Sequence, residues 1–284
     1  VMDALDRTIR LGGVFQTLDV AERAYRIVPP GIKKGILSLR ETIVRREVLP
    51  RLRKCDGLVH NLVGQVLLDA KDFEEALAFA AQWRDLLGDD DSDNSRITWT
   101  NACRLSGYAH SERAEYQEAA ASFEGAATIP ERLQQGDFRL AGSCWYGCSA
   151  WNKAVGAFAR AIDVVRVPSA DAAIDVARQI AAGLRGRFGE SSSEFLTELE
   201  QLAHTQDAVL CLTQEPTPLD VYRAIATRYL VGELQSDSGP ERRLNYDRAL
   251  TNFEKWFHRL PTESRRLGAR LGFRALPDDW VEQV

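Results

Sequence analysis

Residues 103–130 read CRLSGYAHSERAEYQEAAASFEGAATIP. In this stretch Gly107 lies twelve residues before Ala119, and the aromatic residue Tyr116 lies three residues before the same alanine. Small residues let two helices approach closely, while large residues spaced three or four apart form a packing face on each helix. The stretch therefore predicts a helix hairpin.

The same spacing occurs twice more in the chain. The glycine, aromatic residue and alanine of the other two copies are, in that order, Gly64, Phe73 and Ala76, and then Gly142, Trp151 and Ala154. We attribute the longer separation of the first two alanines to an acidic loop inserted at residues 88–94. One hairpin cannot bury both of its faces, so the pattern predicts stacked hairpins. In each hairpin we expect the glycine to face the alanine of the second helix.

The rest of the chain also favours helices. Alternating strand patterns are nearly absent, and helix starts are well marked, as at Thr217, where a capping hydroxyl is followed by Pro218 and Asp220. Near the N-terminus, Ile43 and Val44 belong to two separate apolar stripes of one predicted helix. A helix that is apolar on two sides is predicted to be buried between neighbours. The chain is therefore predicted to be all-α.

The three copies resemble the tetratricopeptide repeat (TPR) family, whose unit of about 34 residues has this order of glycine, aromatic residue and alanine. The resemblance covers roughly residues 57–166 and, more weakly, 217–261. It implies a right-handed superhelix of helix hairpins, a TPR-like α-α solenoid with a helical N-terminal cap. The expected organisation is a basic capping segment at 1–56, three repeats at 57–166, a degenerate repeat or helical spacer at 167–216, and a hairpin with a capping helix at 217–284.

The composition restricts the class of protein and the compartment that we expect. The 284 residues include 45% hydrophobic and 27% charged residues, which is typical of a globular chain. The longest purely apolar run, residues 76–81, is far below the roughly 18 residues that a membrane span needs. The first residues do not resemble a signal peptide, and five cysteines, an odd number, do not suggest a disulfide framework. We therefore predict a cytoplasmic protein with no membrane partner.

Charge is distributed unevenly along the chain. The total is −5, but residues 1–60 contain 12 basic and 7 acidic side chains. A basic segment suggests an anionic partner such as nucleic acid, although a solvated helix face is the simpler interpretation. The alternative anion patch consists of Lys33, Lys34, Arg40, Arg45, Arg46, Arg51, Arg53 and Lys54.

The TPR resemblance implies a second candidate site. In that family, partners bind a concave face built from the first helix of each repeat. The corresponding positions here are Asn61, Gln65 and Asp69; then Asn101, Arg104, Tyr108, Ser111 and Glu112; and then Arg139, Ser143 and Tyr146. Of these, Arg104, Tyr108, Arg139 and Tyr146 are the expected anchors. Leu105, Gly136 and Leu140 stand where the chaperone-type subfamily needs polar and basic groups for a C-terminal carboxylate, so a co-chaperone role is disfavoured.

The sequence contains no motif for catalysis. Nucleophile elbows, phosphate loops, dinucleotide fingerprints and zinc-protease motifs are all missing. Cys144 and Cys148 are one helical turn apart, but they are more simply explained as ordinary core residues than as metal ligands. We predict no catalytic residue, cofactor or metal. The predicted function is a non-catalytic protein- or peptide-binding scaffold or regulatory module, and the alternative is a nucleic-acid- or other anion-binding regulator that uses the basic N-terminal segment.

Overall fold

The computed structural model describes residues 57–87, 93–128, 134–164, 170–214 and 216–235, with short pieces at 35, 38, 41–44, 244–245, 247–248 and 251. All regular secondary structure in these ranges is helical, which confirms the all-α prediction. The helices are α1 (Gly57–Asp69), α2 (Phe73–Leu87), α3 (Asp93–Glu112), α4 (Tyr116–Ala126), α5 (Gln134–Gly147), α6 (Trp151–Asp163), α7 (Ala170–Phe188), α8 (Ser193–Leu212) and α9 (Pro218–Leu234).

The chain divides into two compact units, Val1–Ser122 and Phe123–Val284, and the boundary falls inside α4. Most of the expected capping segment at 1–56, and most of the chain after residue 235, lie outside the described residues. The cap and the second helix of the C-terminal hairpin therefore stay predictions. Ile43 and Val44 are exceptions, since both are described and fully buried in the core of the first unit. Their burial agrees with the two apolar stripes.

The three repeated segments turn in the same way. The residue seven positions after each repeat glycine has a φ of 60°, and these residues are Lys71, Ala114 and Ser149. One backbone hydrogen bond closes each turn, from the next residue to the carbonyl five positions earlier: Asp72 to Leu67, Glu115 to His110 and Ala150 to Trp145, at 2.9–3.0 Å. A left-handed residue with this bond is the usual way to end a helix and reverse the chain. The repeated spacing in the sequence therefore gives the position of each turn.

In the first unit, α1 and α3 lie side by side and α2 packs against both. The small residue at Gly64 permits the contact between α1 and α3, because a Cβ atom there would lie 2.8 Å from Leu105 Cδ2. The prediction that this glycine faces the second helix of its own hairpin was therefore wrong. Trp83 of α2, at 1% exposure, is the largest side chain of this core, and the repeat alanine Ala76 is fully buried beside it.

In the second unit, α5 packs against α6, while α7 packs against α5 and α9. The repeat glycine of this unit, Gly142, does face its own hairpin, where a Cβ atom would lie 2.5 Å from the ring of Phe158 on α6. The partner is thus the phenylalanine four residues after Ala154 rather than the alanine itself. Phe195 of α8 packs against Phe158, with ring centroids 6.0 Å apart, and so continues this core.

A buried arginine joins α8, α9 and the segment that follows α9. Arg228 is 1% exposed, and its Nε donates to Asp207 Oδ2 at 3.0 Å. Its Nη1 donates to Asn245 Oδ1 at 3.0 Å, and Asn245 Nδ2 donates to Gln235 Oε1 at 3.2 Å. Burying a charge is costly unless it is paired and hydrogen-bonded, and these partners supply both. The network fixes Asn245 against α9 and the residue that follows it, Gln235.

Two helices of the second unit begin with a capping hydroxyl, and the start at Thr217 was predicted. Thr217 caps α9 with a full capping box, in which its hydroxyl accepts from Asp220 N–H and the Asp220 carboxylate accepts from Thr217 N–H. This confirms the predicted start. At α8 the cap is Ser192, whose hydroxyl accepts from Phe195 N–H.

We expect Gly142→Ala to lower the free energy of unfolding by about 1–3 kcal/mol, because the new methyl group overlaps the Phe158 ring. The matched control is Gly156→Ala on α6, where a Cβ atom meets nothing within 4 Å. Removing a helix glycine without a clash should stabilise this variant by about 0.5–1 kcal/mol. Urea denaturation of both variants measures the difference, and equal effects would contradict the close-contact role of Gly142.

We expect Ala114→Gly to raise the free energy of unfolding by about 1 kcal/mol, because glycine adopts a φ of 60° without the steric cost that alanine bears. Ala121→Gly is the control, since Ala121 is exposed within α4. There the same replacement should destabilise the protein by about 1 kcal/mol. Thermal and chemical denaturation measure the change in unfolding free energy of each variant. Changes of opposite sign in the two variants support the turn geometry, and destabilisation of both variants would contradict it.

Candidate partner-binding groove

One face of α3 carries a row of solvent-accessible side chains. The row is spaced four, three, four and four residues apart, which keeps it on one side of a helix: Ile97, Asn101, Arg104, Tyr108 and Glu112. Ile97 is 46% exposed and Tyr108 is 43% exposed. Large apolar and aromatic side chains held open to solvent on a polar face are typical of interaction surfaces.

Helix α1 lies beside this row and contributes a second one. Two adjoining depressions lie between the helices, with volumes of about 180 Å³ and about 370 Å³, and Gln65, Leu68 and Tyr108 line both. The smaller depression also includes Asn61, Asn101 and Arg104, and the larger one includes Asp69, Lys71, Phe73 and Glu112. We call the two depressions together the α1–α3 groove. The order of residues along it shows that the two helices run parallel.

The fold explains why these two rows are adjacent. Leu105 of α3 points into the core at 6% exposure and packs into the space left by Gly64. Arg104 and Tyr108 flank Leu105 on α3, so they are directed to the outer side of the same contact. The leucine that departs from the chaperone-type pattern therefore has a packing role.

Hydrogen bonds within each helix hold two charged groups of the groove. Gln65 Nε2 donates to Asp69 Oδ1 at 2.9 Å, and Arg104 Nη1 donates to Asn101 Oδ1 at 3.2 Å. Such bonds restrict the rotamers of long side chains before any partner arrives. The groove is therefore partly organised in advance.

The positions predicted from the third repeat lie in the second unit and have other contacts. Arg139 Nη1 donates to Gln179 Oε1 of α7 at 2.9 Å, and Ser143 Oγ donates to the carbonyl of Arg139 at 3.1 Å. Tyr146 is 6% exposed, and its hydroxyl accepts from Ser192 N–H at 2.8 Å. The prediction of Tyr146 as a groove anchor was wrong, because its ring is packed in the core of this unit.

Tyr146 instead belongs to an aromatic cluster. Its ring lies 5.1 Å from Trp151, 5.0 Å from Phe188 and 4.9 Å from Phe195, measured between centroids. Edge-to-face contacts at these distances stabilise a core beyond the area that they bury. The cluster joins α5, α6, α7 and α8.

The remaining predicted residues fall outside the groove. Ser111 is half-buried on α3 and lines neither depression. The eight basic residues of the alternative anion patch lie outside the described residues, so that patch stays a prediction.

Among the residues of the groove and of the α3 row, some were not selected as site residues from the sequence: Leu68, Lys71 and Phe73 of the groove lining, and Ile97 of the α3 row. Ile97 could have been found, because it lies four residues before Asn101 on the same face of α3. Phe73 was recognised only as the aromatic residue of its hairpin, and Lys71 lines the groove because the left-handed turn places it there.

Other functional classes gain no support from the described residues. In the ranges between 57 and 235 that the structure covers, and in the short pieces outside them, no group of three or more His, Cys, Asp or Glu residues could hold a metal ion. Within those same ranges no helix is long and apolar enough to cross a membrane. Cys144 is buried, as expected of a core residue, but Cys148 is exposed, so its interpretation as a core residue was wrong. Cys148 Sγ lies 3.4 Å from the carbonyl oxygen of Trp145.

Comparison of the chain with models of protein families, with curated protein sequences and with solved structures gave no match.

An ionic cluster stabilises the turn that ends α3 near the groove. Glu115 Oε2 lies 2.7 Å from His110 Nδ1, and Glu115 Oε1 accepts from Arg113 Nε at 2.8 Å. Arg113 also lies 3.6 Å from Glu74 on α2. The hydrogen bond with His110, followed by the bond and charge of Arg113, lowers the pKa of Glu115 below its ordinary value of 4.5.

We expect Glu115→Gln to remove stability that depends on pH. Because the folded state lowers the pKa of Glu115, the ionised carboxylate stabilises the fold above pH 4.5, and this contribution is lost as pH falls through the lowered pKa. The difference in unfolding free energy between wild type and variant should therefore be largest above pH 4.5 and shrink in stronger acid. Glu118→Gln, at an exposed position on α4, is the control for the loss of one negative charge outside this cluster. A difference that does not vary with pH would contradict this role.

Proposed function

We propose that this chain is a TPR-like helical-repeat protein that binds a protein or peptide segment in the α1–α3 groove, as a scaffold or regulatory module without catalysis. The observation that carries the proposal is Tyr108, an aromatic side chain 43% exposed at the junction of two depressions. An aromatic residue in a polar concave surface is a common anchor for a partner.

The shared turn geometry supports the resemblance to helical-repeat proteins. All three hairpins reverse at the same position relative to the repeat glycine, and each does so with the same φ of 60°. Repeat proteins use equivalent first helices to build an extended binding surface. In this chain α1 and α3 are two such helices, and the groove lies between them.

The face of the second unit is less suited to this role. Arg139 bonds to Gln179, Arg178 Nε donates to the Tyr229 hydroxyl at 3.0 Å, and the polar groups there link α5, α7 and α9 to one another. These bonds join different helices, so the side chains serve the packing of the second unit, whereas the groove bonds lie within single helices. This contrast favours the groove of the first unit.

A peptide library displayed on phage and selected against the purified full chain tests the proposal. Binding of the selected peptides, measured by fluorescence anisotropy, should weaken at least tenfold, or about 1.4 kcal/mol, in Tyr108→Ala because the ring no longer covers the partner. Leu212→Ala is the matched control, since Leu212 is an apolar residue of the second unit that is 85% exposed. Selected peptides that bind Tyr108→Ala as tightly as the wild type would overturn the proposal.

The same anisotropy assay separates the alternative function. Labelled single-stranded RNA and duplex DNA are titrated between 50 and 200 mM salt, a range in which phosphate contacts reduce affinity steeply. A steep logarithmic slope for nucleic acid, together with no peptide binding in the groove, would favour the basic N-terminal segment as the functional site.

A further inference from the structure

The α1–α3 groove carries opposite charges at its two ends. Arg104 lies in the smaller depression with the amides of Asn61 and Asn101. Asp69 and Glu112 lie in the larger depression with Lys71, so two carboxylates face one ammonium group there. One end of the groove is therefore positive and the other is negative overall.

We propose that the groove binds an extended peptide segment that carries an acidic and a basic residue three to four positions apart, with an apolar residue between them. The acidic residue pairs with Arg104 and the basic residue pairs with Asp69 and Glu112. The apolar residue packs on Tyr108 and Leu68, which lie where the two depressions meet. This inference rests on the proposed function and specifies its partner.

The spacing follows from helix geometry. Arg104 and Glu112 are eight residues apart on α3, which corresponds to about 12 Å along the axis at about 1.5 Å per residue. An extended peptide advances about 3.3 Å per residue, so about 12 Å spans between three and four residues. A helical peptide would need about eight residues to place the same two charges.

The polar lining favours the extended form. Asn61, Gln65 and Asn101 place side-chain amides along the groove. Amides can donate to carbonyl groups and accept from N–H groups, and an extended peptide leaves both kinds of backbone group available, whereas a helix uses them internally. The groove thus offers backbone partners as well as charged ones.

Prior organisation of the charges strengthens the pairing. Asn101 already holds the guanidinium of Arg104, and Gln65 holds the carboxylate of Asp69. Side chains that are already restrained lose less entropy when a partner binds. Ion pairs to such groups give specificity in the order and spacing of the partner's charges.

The test uses fluorescein-labelled dodecapeptides in which Glu and Lys flank a leucine in an otherwise Gly/Ser sequence. Peptides with the two charges four positions apart, in both orders, are compared with peptides that have them eight apart and with a Gln/Gln peptide. We expect at least one four-position peptide to bind at least tenfold more tightly than the eight-position and neutral peptides. Preference for the eight-position spacing, or binding by none of them, would overturn the proposal.

Charge-reversal variants test which charge of the peptide binds at each end of the groove. Arg104→Glu should weaken the best four-position peptide at least tenfold, and exchanging that peptide's Glu for Lys should restore binding. Glu112→Lys should behave in the same way with a peptide whose Lys is exchanged for Glu. Restoration by the matched peptide also shows that the variants are folded.

Two reversals outside the groove serve as controls. Glu118→Lys and Arg187→Glu change the net charge of the chain by the same amounts, and both side chains are exposed. They should leave peptide affinity within twofold of the wild type. Suppose that Tyr108→Ala weakens binding of the library peptides, but that charge reversal at Arg104 and Glu112 changes peptide affinity no more than these controls do. The charge assignment is then wrong and the proposed function stands. If Tyr108→Ala has no effect either, the proposed function itself is wrong.

Discussion

The steric space left by an absent side chain sets the geometry of the first unit. Because Gly64 has no Cβ atom, Leu105 can pack directly against α1, and α3 lies close beside it. That contact turns Arg104 and Tyr108 outward beside Asn61 and Gln65, and it creates the depressions between them. A methyl group at this glycine would press on the end of the Leu105 side chain, so the packing contact lies directly beneath the candidate binding site.

The turns place this contact in register. Each of the three hairpins reverses through one residue with a φ of 60°, and none of these residues is glycine. Alanine, lysine and serine bear a steric cost in this conformation, which the packing of the two helices must outweigh. At the first hairpin the left-handed residue is Lys71, which lines the negative end of the groove.

The two units use equivalent helix faces differently. In the first, the row on α3 keeps Tyr108 open to solvent. In the second, the predicted anchor Tyr146 packs among Trp151, Phe188 and Phe195. Arg139, which is equivalent to Arg104 because both lie three residues before a repeat glycine, is hydrogen-bonded to Gln179 of α7. The difference arises from neighbouring helices that are distant in sequence, since α7 and α8 supply the residues that cover Tyr146. The equivalent residues Arg104 and Arg139 therefore have different partners, Asn101 of the same helix in the first unit and Gln179 of another helix in the second.

The sequence alone determined the helical class, the hairpin register and the capping box at Thr217, because these depend on residues close together in the chain. The resemblance to the TPR family also pointed to most of the α3 row, whose members are three and four residues apart and so share a helix face. Only the tertiary structure decided that Gly64 packs against Leu105 while Gly142 packs against Phe158, and that Tyr146 is buried. Those outcomes depend on which side chain from a distant segment fills each space, and local spacing carries no information about that choice.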